Sequence, residues 1–263
     1  MNIIQNLKIE FYKTKNVKFL IISILFPLLY WVLLTLYVYN SKNAIVYTIE
    51  AKNGFDLLIT HFAIFFGFIN LFVSLYLIVD MVDIELDNNY KKQLDIFGVN
   101  TDNMLLNKLV IIMAYTLISI ATFLIAFYIS YLVMDSEFKL GFEFGSDFWK
   151  ITKLILSYPI LQLSYYYLLI NIFYKYEVKN TFLNIILPII FQISIPIIAI
   201  SDSMKYIVYL PNYLLAQDLF SFPPDSPSFI QSYRFHLLSI TYFIIFYIIF
   251  NFKRLIIEKD KTS

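Results

Sequence analysis

The chain has 263 residues, of which 60% are hydrophobic, 19% aromatic and 15% charged, with a formal net charge of +1. Charged residues make up about a quarter of an ordinary soluble domain, so this composition argues against one, while the near-neutral balance says nothing about a nucleic-acid or acidic partner, and no nucleic acid is expected among the partners. Cysteine is absent, which excludes disulfides, thiolate metal sites and cysteine nucleophiles.

Apolar residues fall in runs of about twenty, the length that crosses roughly 30 Å of hydrocarbon as a helix. The short alternating segments of a membrane β-barrel are missing. The expected fold is an all-α polytopic membrane protein, a single transmembrane domain over residues 1–263 with six transmembrane helices.

The opening stretch, MNIIQNLKIEFYKTKN, lacks the apolar core and small-residue cleavage site of a secretory signal. Within residues 3–16, Ile3, Ile4, Leu7 and Phe11 share one helical face, and Lys8, Lys13 and Lys15 lie off it. That pattern predicts an N-terminal interfacial helix. The first span is expected at Phe19–Tyr39, kinked at Pro27, and the second at Leu57–Val79. Residues 80–108 then form the longest polar passage, with Asp80, Asp83, Glu85, Asp87, Asp95 and Asp102 set against Lys91, Lys92 and Lys108. It reads as a docking loop between two spans. The third and fourth spans are expected at Leu109–Met134 and Phe148–Tyr174. The fifth, Thr181–Ile200, contains Pro188 and Pro196. Residues 201–235 follow. There Tyr206, Tyr209, Leu210, Tyr213, Leu214 and Phe220 are too apolar for a solvated loop, and Pro211, Pro223, Pro224 and Pro227 break the run, so an outer re-entrant segment is expected. The sixth span is His236–Phe252, and a basic tail closes the chain.

Lysine and arginine set the orientation. Lys8, Lys13, Lys15 and Lys18 share a side with the 80–108 loop, with Lys175 and Lys179, and with Lys253, Arg254, Lys259 and Lys261. These outnumber the basic residues of the opposite links, which predicts both termini, and the 80–108 loop, in the cytoplasm.

No site for chemistry stands out. The glycines do not form a phosphate-cradling loop. His61 and His236 each fall near a span end, where an interfacial hydrogen-bonded histidine is the ordinary role. The span interiors carry Asn70, Gln162, Asn171, Asn184 and Gln192, amides that usually join helices, and no buried carboxylate of the kind that marks a proton pathway. The cluster Tyr165, Tyr166 and Tyr167 reads first as packing and second as an apolar route. Asp80 and Asp83 have the spacing that can hold a metal-bound diphosphate, the basis for an alternative reading as a lipid-modifying enzyme. A non-transporting immunity protein that binds a toxin is a further alternative.

The order of parts resembles the permease subunit of a type 2 ABC exporter. Those permeases have a basic interfacial helix, six spans, cytoplasmic termini, a coupling helix between the second and third spans, and a re-entrant segment before the sixth. In that family a glutamate after the second span is followed by a basic residue, a leucine-rich turn, a proline, and a lysine that opens the third span. Glu85, Lys91 or Lys92, Leu94 with Phe97, and Lys108 fall in that order. Gly98-Val99 stands in place of the proline, and no arginine precedes Glu85. The resemblance implies that Glu85, Lys91, Lys92, Leu94, Phe97 and Lys108 couple the chain to a separate ATP-binding cassette ATPase. It also implies that this chain is not itself an enzyme and carries no cofactor, with ATP and Mg on the partner. A second permease chain, identical or related, and membrane lipid complete the expected partners, and a bacterial plasma membrane is the expected location. The compact size is similar to that of permeases for lantibiotic self-immunity and amphipathic-peptide export. That similarity implies a peptide cargo, with Asn70, Gln162, Tyr209 and Tyr213 as candidate lining residues.

Overall fold

Long runs of Leu, Ile, Val and Phe that close their own backbone hydrogen bonds become long helices. The computed structural model describes residues 7–8, 10–12, 17–40, 54–87, 101–138, 144–176, 184–190 and 233–262. Five long helices carry the architecture: α1 (Val17–Asn40), α2 (Gly54–Asp87), α3 (Thr101–Phe138), α4 (Phe144–Tyr176) and α5 (Tyr233–Thr262). Residues 7–8, 10–12 and 184–190 are also helical. Among the described residues every assigned element is α-helix, so the all-α expectation holds there. One stretch of them, Met104–Ile129, is long and apolar enough to cross a membrane; Val17–Leu33 and His236–Asn251 are shorter apolar stretches.

Neither interior proline ends its helix. Pro27 lies within α1 and Pro159 within α4. Each lacks an N–H, which takes the usual helical partner from the carbonyls of Ser23 and Ile155.

α2, α3 and α4 pack against one another, α1 packs on α2 and α3, and α5 packs on α4. Side-chain contacts fix the directions. Lys18 meets Asp80 and Phe26 meets Phe72, so α1 and α2 are antiparallel. Phe19 meets Tyr115 and Tyr30 meets Phe123, so α1 and α3 are parallel. Ser74 meets Thr116 and Glu85 meets Lys108, so α2 and α3 are antiparallel. Residues 139–143 reach at most about 20 Å, against a length of about 57 Å for α3, so α4 starts where α3 stops and runs back along it. Ser239 bonds Ile160 and Leu161 while Asn251 bonds Tyr167, so α5 runs parallel to α4. The end of α4 and the start of α5 therefore lie at opposite ends of the bundle.

The core holds Leu75 and Ile78 of α2, Ile112 and Tyr115 of α3, and Tyr165, Tyr166 and Tyr167 of α4. The three consecutive tyrosines are thus packing residues. Tyr165 donates to the Pro188 carbonyl at 3.1 Å, which ties the 184–190 helix to α4. Tyr167 meets Phe243, Tyr247 and Phe250 of α5 and accepts from Asn251 Nδ2 at 3.3 Å.

Polar and apolar groups are distributed in an unusual way. Ser23, Asn70, Ser74, Thr116, Ser119, Gln162, Ser164 and Ser239 are buried. On α1, by contrast, Ile21, Leu25, Leu29 and Leu33 form an exposed stripe. Leu117, Ile125, Ile129 and Leu132 do the same on α3, and Ile240, Ile244 and Ile248 on α5. Polar side chains at helix surfaces turn back onto their own carbonyls: Thr35 to Trp31 at 2.9 Å, Thr122 to Ile118 at 2.9 Å and Thr241 to Leu237 at 2.8 Å.

Tyr167 is the main contact between α4 and α5. Tyr167→Ala is expected to lower unfolding stability by about 3 kcal/mol, and Tyr167→Phe by about 1 kcal/mol through the lost Asn251 bond. Equilibrium unfolding of the purified variants checks both.

Candidate functional site

The polar passage predicted at 80–108 is mostly helix where it is described. α2 continues to Asp87 and α3 begins at Thr101, so each helix runs about two turns beyond the expected span end. The antiparallel register set by Ser74 and Thr116 then brings Glu85 beside Lys108.

Lys108 is 1% exposed, Glu85 0% and Glu10 3%. The Lys108 ammonium lies 2.9 Å from Glu85 Oε1 and 3.0 Å from Glu10 Oε2, with a longer contact of 3.5 Å to the Met81 carbonyl. Three acceptors from two elements thus surround a group with three N–H donors. Glu10 comes from the 10–12 helical stretch before α1. One ammonium therefore joins the N-terminal helix, the end of α2 and the start of α3. Taking such charges out of water costs several kcal/mol per ion, and only close, well-formed pairing offsets it.

The flanking surface holds a second, looser pair. Lys18 donates to Asp80 Oδ1 at 2.9 Å and its ammonium sits 5.2 Å from the Tyr76 ring centre. The Tyr76 hydroxyl, then the Asp80 carboxylate, hold the Lys18 amine above the ordinary lysine range. The Lys18 side chain is 45% exposed, so this pair is worth at most about 1 kcal/mol.

Of the residues expected to couple the chain to an ATPase, Glu85 and Lys108 are brought into contact and are fully buried, not displayed on a loop surface. Lys91, Lys92, Leu94 and Phe97 lie outside the described residues. Of the expected lining residues, Asn70 and Gln162 are buried in the helix interior at 1% and 2% exposure, and Tyr209 and Tyr213 lie outside the described residues. So does the 201–235 segment, apart from its last three residues. Asp80, half of the candidate enzyme pair, is engaged by Lys18. Among the described residues no three acidic or histidine side chains converge as a metal-ligand set.

Sequence reasoning missed Glu10. The predicted apolar face of residues 3–16 runs through Leu7 and Phe11. Leu7 does pack on the core, but Phe11 is 52% exposed and Glu10 is turned inward instead. A three-residue step from Leu7 to Glu10, with a lone lysine at the start of an otherwise apolar helix, was the available signal.

Comparison with protein-family models, curated proteins and solved structures finds no match to this chain.

Lys108→Met strands two buried carboxylates against each other and is expected to cost about 3–5 kcal/mol. Replacing all three groups with methionine should restore most of that loss, because apolar substitutes need no partner. Lys18→Ala should stay within about 1 kcal/mol of the parent. Unfolding curves for the three variants test the contrast.

Proposed function

We propose that this chain is the membrane-spanning permease subunit of an ATP-driven exporter. The observation that carries the reading is the buried Glu10–Lys108–Glu85 cluster. It joins the N-terminal helix to the two helix ends that flank residues 88–100, so force applied to that link would be delivered to three elements together. A separate ATPase supplies the force, with its own ATP and Mg, and Glu85, Lys91, Lys92, Leu94, Phe97 and Lys108 transmit it.

Two further features support a bilayer setting. The exposed faces of α1, α3 and α5 carry stripes of leucine and isoleucine, while serine, threonine, asparagine and glutamine side chains sit inside. The parallel run of α4 and α5 requires the chain to return along the bundle between them, which fits a six-span path with both termini in the cytoplasm. The remaining elements of the reading are a second permease chain beside the first, a bacterial plasma membrane, and an amphipathic or hydrophobic peptide as cargo. The cargo rests on the compact size of the chain and its resemblance to peptide-exporting permeases. Transport then requires ATP and cargo each to favour one helix arrangement over the other.

The test is ATP hydrolysis by complexes purified in mild detergent on the tagged chain. The parent should carry a co-purifying ATPase, and a Leu94→Ala, Phe97→Ala variant should lose it or leave its turnover insensitive to cargo. A folded chain that brings no ATPase with it would overturn the exporter reading.

A further inference from the structure

The exposed stripe on α1 begins at a charge. Ile21, Leu25 and Leu29 follow Lys18 at steps of three, four and four residues, so the four share one helical face. All three apolar side chains are exposed, and so is 45% of the Lys18 side chain. The ammonium has a neighbour on α2. Asp80 accepts from it at 2.9 Å and keeps 22% of its own side chain exposed. The centre of the Tyr76 ring, one turn along α2 from Asp80, lies 5.2 Å from the same nitrogen.

Both charges sit where apolar sequence stops. Lys18 precedes Phe19, which opens the apolar run of α1, and Asp80 follows Val79, which closes that of α2. The two helices are antiparallel, and the Lys18–Asp80 bond shows that the two boundaries meet at one level. Leu29 lies about 16 Å along α1 from Lys18, close to the half-thickness of about 15 Å of a bilayer's hydrocarbon. This face therefore offers a cation and a carboxylate side by side, with one leaflet's depth of isoleucine and leucine directly behind the cation.

We propose that Lys18 and Asp80 hold the headgroup of a phospholipid that carries a primary amine, with an acyl chain lying along Ile21, Leu25 and Leu29. The inference rests on the bilayer setting of the proposed function and on nothing in its export reading. The pair sums to zero charge, so a headgroup with one anion and one cation complements it at both ends. The phosphate faces the ammonium and the amine faces the carboxylate. Three N–H donors on the ammonium and about four acceptor sites on the carboxylate exceed what the Lys18–Asp80 bond uses. A primary amine donates N–H to a carboxylate, and a quaternary amine has none to donate. A headgroup of net negative charge meets Asp80 as well as Lys18, and loses to one what it gains from the other.

The test is native mass spectrometry of the full chain in detergent, titrated with dioleoyl phosphatidylethanolamine, phosphatidylcholine or phosphatidylglycerol. The parent is expected to bind the ethanolamine lipid about threefold to fivefold more tightly than either of the others, the scale of one partly exposed ion pair. Asp80→Asn should abolish the preference over phosphatidylcholine and move it toward phosphatidylglycerol, because Lys18 is then unopposed. The Lys18→Gln, Asp80→Asn double variant should bind all three alike. Both positions lie at the surface, where loss of the pair leaves the fold intact. Lys175→Gln removes another exposed lysine, at the end of α4, and should leave the parent's preference unchanged. Equal binding of the three lipids by the parent, a parent preference for phosphatidylglycerol, or an ethanolamine preference that survives in the double variant overturns the proposal. A parent that binds none of the three overturns the bilayer setting with it.

Discussion

A lysine ammonium with almost no contact with water must be neutralised where it stands. Lys108 meets that demand with Glu85 from the neighbouring helix and Glu10 from the segment before α1. Everything near this end of the bundle depends on the pairing. It requires α2 and α3 to continue past their apolar stretches, because Glu85 and Lys108 lie on those extensions. It also requires the 10–12 helical stretch to lie against both, because Glu10 has to reach the same ammonium. The interaction adds little net stability over an apolar replacement. What it does is place one ammonium within 3.0 Å of a carboxylate from each of two other elements.

Away from that cluster the bundle follows a different rule. Its exposed faces are apolar and its interior carries hydroxyls and amides. In a bilayer, lipid is as apolar as leucine, so helix association rests on close packing and interhelical hydrogen bonds. The Ser74–Thr116 contact, the Ser239 bonds to Ile160 and Leu161, and the Asn251–Tyr167 bond are of that kind. They join α2 to α3 and α4 to α5. Such contacts are individually weak, about 0.6 kcal/mol on average in membrane bundles.

The positions of the five long helices were legible in the sequence, because apolar runs of about twenty residues have few alternatives; of the expected fifth span, Thr181–Ile200, only residues 184–190 are described, as helix. The helix ends were not. Hydropathy stops at Val79 and resumes at Leu109, whereas the helices stop at Asp87 and resume at Thr101. Charge ends an apolar run but does not end a helix when a partner lies across from it, and that partner is invisible to hydropathy. Glu85 and Lys108 stand out through a family resemblance; their burial does not, because a loop dense in acidic residues reads as solvated. Glu10 escapes notice because an amphipathic helix is expected to turn its apolar face to lipid. Asn70 and Gln162 are evident as mid-span amides, and both are buried in the bundle interior.

The most direct measurement is hydrogen–deuterium exchange of the backbone amides in residues 7–12 and 81–86, comparing the parent with Lys108→Met in the same detergent. If Lys108 holds the N-terminal helix to the ends of α2 and α3, the variant loses protection in both segments while the α4–α5 contact around Tyr167 and Phe243 keeps it. Unchanged protection in residues 7–12 would contradict the claim that this ammonium binds the three elements into one unit.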